Sequence, residues 1–172
     1  ISQEVRHEAI ISVIIATIFM LIYIWIRFKD VRFATSAVAA LLHDVLVVLA
    51  FYGAARISVG NTFIACMLTI VGYSINATIV IFDRIRENLA EMKRKDTLED
   101  VVNNSITQTL TRSIFTSLTT FIMVAVLYVM GVASVKEFAL PLMVGIACGA
   151  YSSVCITGPL WYVMKTKLVK KQ

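Results

Sequence analysis

Five long apolar runs, at about 9–26, 34–55, 62–82, 106–130 and 138–164, constrain this chain more than any other feature. The first holds no charged residue in 18 positions. At ~1.5 Å per residue an 18-residue helix covers about 27 Å, enough to cross a bilayer with little tilt. Of the 172 residues, 59% are hydrophobic, and that excess is gathered into the runs. The pattern predicts an all-α membrane protein: a single transmembrane domain over 1–172 with five crossings.

Orientation follows from the basic residues. Twelve Lys and Arg fall after the first run, within 83–105 and in the tail beyond Met164. Three, Arg6, Arg56 and Lys136, fall in the opposite segments, and Arg112 lies within the fourth run. Positive charge collects on the cytoplasmic side, which puts the N-terminus of this chain outside and the C-terminus inside. The net charge of +5 is thereby assigned to membrane topology, and no nucleic acid partner is expected. Residues 1–8 are polar and the first run exceeds a signal h-region, so no signal peptide is expected. A polar outside start suggests a longer chain with an earlier crossing upstream.

Between the third and fourth runs, Ile85, Leu89 and Met92 recur at helical spacing among charges. This predicts a cytoplasmic amphipathic helix lying along the membrane surface within 83–105. Thr97 and Asp100 suggest a capping box opening a second helix. Tyr23, Trp25 and Phe28, and later Trp161 and Tyr162, read as interfacial aromatics. Pro141 is expected in the opening turn of the last run and Pro159 at a bend near its end. Gly145 and Gly149, with Ser153 a further step along, permit close helix approach, within the subunit or to a partner.

Asp44 is the one carboxylate inside an apolar run. A central Asp costs ~2.5–3.5 kcal/mol to insert, and the nine Val, Leu and Phe residues around it return roughly 3–5 kcal/mol. Asp44 should therefore face the bundle interior and find a partner. A carboxyl held between burial and a nearby cation can take up and release a proton; a fixed structural pair is the alternative. His43 beside it can titrate near neutral pH, or pack as a neutral ring; ~100° of helix rotation is expected to keep the two off one face. Gln108, Arg112, Thr116 and Thr120 share a face at four-residue intervals. Arg112 can snorkel to the cytoplasmic edge or reach an interior acid or amide, and a polar meeting with Asn76 and Gln108 is expected. Asp83, Arg84, Arg86 and Glu87 form a solvated face, a hinge or a docking surface. Cys66, Cys148 and Cys155 lie in apolar runs without metal-ligand spacing. There is no phosphate-binding loop, nucleophile triad or metal cluster, so neither an enzyme nor a cofactor is expected.

Residues 72–88, GYSINATIVIFDRIREN, resemble the signature of the SecF family. ALLHD at 40–44, NNSITQTLTRSIFTSLTT at 103–120 and GIACGAYSS at 145–153 are similar to other family motifs in the same order. The resemblance implies a bundle of the resistance–nodulation–division type, matching the last five of six crossings and lacking the first helix and outer domain. It implies a subunit in the bacterial cytoplasmic membrane that aids protein translocation with the proton motive force. The implied partners are a SecD-like subunit, the SecYEG channel and the translocating preprotein. Arg112 falls on the family's functional Arg. Ala77 stands where the family commonly has an Asp proposed to transfer protons. A small-molecule or lipid exporter of the same superfamily, and a structural scaffold for a SecD-like partner, are the alternatives.

Overall fold

The fold is known from a computed structural model that describes residues 3–169; residues 1–2 and 170–172, part of the polar start and basic tail, lie outside it. The elements are α1 (Gln3–Phe28), α2 (Val31–Ala55), α3 (Asn61–Ala90), α4 (Leu98–Met130), α5 (Ala133–Ser152), a π-helical turn (Ser153–Thr157) and α6 (Gly158–Val169). Five helical segments are long and apolar enough to span a membrane, the last joining α5, the π-turn and α6.

Local signals explain the helix ends. Asp30 caps α2, accepting from the Arg32 N–H at 2.9 Å. Gly60 precedes α3, and the Thr97–Asp100 capping box opens α4. That box starts one continuous 33-residue helix which runs directly into the membrane.

The polar segment 83–105 departs from expectation. No separate helix lies along the surface; α3 runs unbroken to Ala90 and α4 starts at Leu98. Thirty residues make α3 ~45 Å long, well beyond a ~30 Å hydrocarbon core. Its end and the start of α4 form an antiparallel hairpin. Ile85 and Val102 are buried there, with Leu89, Leu98 and Ile106 packed around them. The amphipathic face is covered by protein, and lipid is not needed to bury it.

The aromatic assignments also change. Tyr23 and Trp25 are exposed, as expected of interfacial residues. Phe28 and Trp161 are instead core residues, joined with Phe33 and Phe82. Phe33 stacks on Trp161 at 4.8 Å and meets Phe82 edge-on at 4.7 Å. This cluster ties α1, α2, α3 and α6 together at one end of the bundle.

Pro141 lies inside α5, past its second turn, and not in its opening turn. Pro159 follows the π-turn. A proline ring clashes with the carbonyl four residues back, and the wider turn relieves that crowding without ending the span.

α5 packs against α2, α3 and α4. Gly145 and Gly149 serve contacts within the subunit. A Cβ on Gly145 would come within 2.5 Å of the Ile70 side chain, and one on Gly149 would stand 3.4 Å from Tyr73. Ile70 is fully buried and has little room to yield. Gly145→Val is expected to cost about 1–3 kcal/mol through overpacking. Gly149→Ala should be better tolerated. Thermal unfolding of the detergent-solubilised protein checks both.

Candidate functional site

Two polar centres flank α3. Tyr73, Asn76, Ala77 and Val80 face a cavity of about 90 Å³ closed on the α4 side by Arg112, Ser113, Thr116 and Ser117. The Tyr73 hydroxyl donates to Ser117 Oγ at 2.8 Å and bridges the two helices. Arg112 itself is exposed. No carboxylate lines this cavity, and among the described residues Arg112 forms no ion pair. An uncompensated guanidinium in a membrane-spanning helix is costly, so this geometry calls for an acceptor.

The cavity continues toward the hairpin. Asn76, Val80 and Arg112 also line a larger space of about 500 Å³ with Asp83, Arg84, Glu87 and Gln108. Gln108 further lines a third, of about 190 Å³, with Asn88, Glu91, Asp96 and Asp100. Arg84 Nε donates to Gln108 Oε1 at 2.6 Å and Asn88 Nδ2 donates to the same oxygen at 3.0 Å. Asn88 also reaches Ser105 at 2.8 Å, and Arg84 reaches Glu87 at 2.9 Å. Gln108 is therefore a latch between α3 and α4.

The expected meeting of Asn76, Gln108 and Arg112 is only partly realised. All three line the larger cavity, but Gln108 spends its carbonyl on Arg84 and Asn88. The charged quartet spreads from the α1 side of α3 to the α4 side, with Asp83 and Glu87 lining the space on each. Asp83 pairs with Arg27 at 3.0 Å and Arg86 donates to the Arg27 carbonyl at 3.2 Å, clamping α1 to α3. Arg84 turns toward α4, where it meets Gln108.

The second centre is Asp44, fully buried among α2, α3 and α5. Ser74 Oγ donates to Asp44 Oδ2 at 2.5 Å and Ser152 Oγ donates to the same oxygen at 2.7 Å. His43 Nδ1 lies 3.0 Å from Oδ1. Asp44 thus faces the interior and finds partners, but these are hydroxyls and an imidazole, not an arginine. His43 does reach its neighbour, against the helical-wheel expectation. The ring folds back along the helix surface, where a short carboxylate is within reach despite the angular offset. Asp44 and Arg112 are not brought together; α3 stands between them.

Tyr73 and Ser74 stand out in the sequence as polar groups of the third run, but nothing there marks their partners; Ser117 and Ser152 carry no such signal. Serine is common enough in membrane helices that its spacing carries no signal until the acid it serves is located.

An acid-centred helical bundle with a charged groove defines a multi-span membrane protein whose ionisable groups sit inside it. The family described as "Protein export membrane protein SecD/SecF, C-terminal" matches residues 1–167. Protein translocase subunit SecF of Alicyclobacillus acidocaldarius is 45% identical over 99% of this chain and 56% of its own length. Protein translocase subunit SecDF of Bacillus subtilis is 42% identical over 99% of this chain and 23% of its own. A crystal structure of SecDF in a super-membrane-facing form superposes with a TM-score of 0.89 at 37% identity, covering 99% of this chain and 23% of that one. SecDF from Thermus thermophilus gives 0.80 at 40% identity, over 85% and 20%. The chain belongs to the SecD/SecF family of protein-export membrane proteins. It spans about half the length of the SecF relative it matches, so the fold is of the SecDF membrane-domain type and the whole protein's activity is a separate question.

Breaking the latch should loosen the hairpin and leave the bundle intact. Gln108→Ala is expected to speed amide exchange across 84–92, with 61–75 unchanged, in hydrogen–deuterium exchange of the solubilised protein.

Proposed function

We propose that this chain is the membrane part of a SecF-type subunit that helps secreted proteins across the bacterial cytoplasmic membrane, using the proton gradient. Its N-terminal end faces outside and its C-terminal end the cytoplasm, in keeping with the basic residues at one end of the bundle. Its partners are a SecD-like subunit, the SecYEG channel and the preprotein in transit. The observation that carries the reading is Arg112, a cation facing a polar cavity that Ala77 lines and no carboxylate does; Asp83 and Glu87 stand only in the larger space beyond it, and neither pairs with Arg112.

In this mechanism the acid that answers Arg112 comes from the partner subunit. Protonation of that acid weakens its attraction to the guanidinium and lets the helices around the groove shift; loss of the proton restores the pair. Asn76, Thr116 and Ser117 supply hydroxyl and amide groups that keep the cavity polar enough for water. One proton crossing 100 mV releases ~2.3 kcal/mol, enough to invert a balance between two packings. Asp44 does not line the groove and its Oδ2 is taken by two hydroxyls, so in this reading it is not the acid that answers Arg112.

Ala77 supports a second reading, a scaffold for a SecD-like partner that moves no proton itself. Arg112→Gln separates the two. Under the leading reading it lowers gradient-stimulated export in cells, by up to about fiftyfold at 100 mV, the factor that ~2.3 kcal/mol allows. Under the scaffold reading it alters recovery of the partner and leaves gradient dependence unchanged. Ala77→Asp is the complementary variant: proton flux in vesicles rises if the position is a working relay point.

A further inference from the structure

We propose that Asp44 is a positioning residue: by holding Ser74, it fixes the rotation of α3 that presents Asn76 and Ala77 to the Arg112 cavity. The inference rests on the reading of that cavity as the working groove, and it concerns an adjoining face of the same helix.

The geometry is specific. Ser74 and Ala77 are about 60° apart on α3 at ~100° per residue, so a turn that frees one moves the other. On one side Ser74 is held by Asp44 Oδ2 at 2.5 Å. On the other, Tyr73 is held by Ser117 at 2.8 Å. Consecutive residues of α3 are therefore tethered to α2 and to α4.

α5 closes the third side. Ser152 donates to the same carboxylate oxygen at 2.7 Å, and Gly149, one turn earlier, leaves room for Tyr73 and Ser74. A Cβ on Gly149 would stand 3.7 Å from the Ser74 Cα. The carboxylate is fully buried, with a hydroxyl from each flanking helix and the His43 ring at 3.0 Å on its other oxygen. A hydrophobic residue at 44 would insert more cheaply; the acid is what lets one side chain hold two helices at once.

The test reads α3 orientation directly, in the full-length protein in its native membrane. Cys66, Cys148 and Cys155 are replaced by alanine, and Ala77→Cys is introduced as a reporter for a membrane-permeant, thiolate-selective reagent. A second reporter, Val132→Cys, lies in the exposed turn before α5 and controls for general loosening. Asp44→Ala and Ser74→Ala should each change the ratio of labelling at 77 to labelling at 132 by about tenfold, as expected for losing a buried hydrogen bond. Asp44→Asn keeps an acceptor oxygen and should restore most of the original ratio. Ser152→Ala cuts the tie to α5 alone and should leave the ratio near its starting value.

An unchanged ratio in Ser74→Ala, with protein at normal levels, overturns the proposal. So does an equal change at both reporters. If Asp44→Ala is not recovered from membranes, Ser74→Ala decides alone. Labelling does not depend on export, so loss of the functional reading above would leave this result standing, and the reverse also holds.

Discussion

A carboxylate cannot remain inside a helical bundle unless its oxygens are satisfied from within, because the hydrocarbon around the bundle offers nothing. Asp44 meets that demand with hydroxyls from α3 and α5. The demand runs both ways. Ser74 and Ser152 can reach one oxygen only if α2, α3 and α5 approach closely, and the small residues of α5 make that approach possible. Gly145 against Ile70 and Gly149 against Tyr73 set the separation that the acid then locks.

α3 is consequently the central element, with different duties on different faces. One face is fixed in the interior by Ser74 and by Ile70, Val71 and Ile75. Another lines the groove where Arg112 stands exposed. Past the membrane the same helix is held twice more, by the Arg27–Asp83 pair to α1 and by Gln108 to α4. The Arg27–Asp83 pair is half exposed and contributes at most about 1 kcal/mol, so it directs the helix end more than it stabilises the fold.

Much of this was visible in the residues alone. The apolar runs gave the number of spans, because length and lack of charge suffice for that. Asp44 read as an interior group because no other site in its run could hold it. Its partners were hidden, since hydroxyls on other helices acquire meaning only once the register between helices is known. The segment 83–105 misled for a related reason: the same Ile85 and Leu89 pattern serves a lipid surface or a facing helix, and only tertiary packing chooses. Phe28 and Trp161 looked interfacial by position, but the bundle places them against Phe33 and Phe82.

The unbroken course of α3 has a mechanical consequence. From Ser74 to Ala90 the helix runs ~24 Å, at 1.5 Å per residue. A tilt of ~5° about the Ser74 anchorage would carry the far tip sideways by roughly 2 Å, comparable to the helix shifts that accompany known switching transitions. α3 is thus a stiff lever anchored near mid-depth, and any tilt at the groove is delivered, enlarged, to the hairpin contacts with Arg27 and Gln108 that hold its far end.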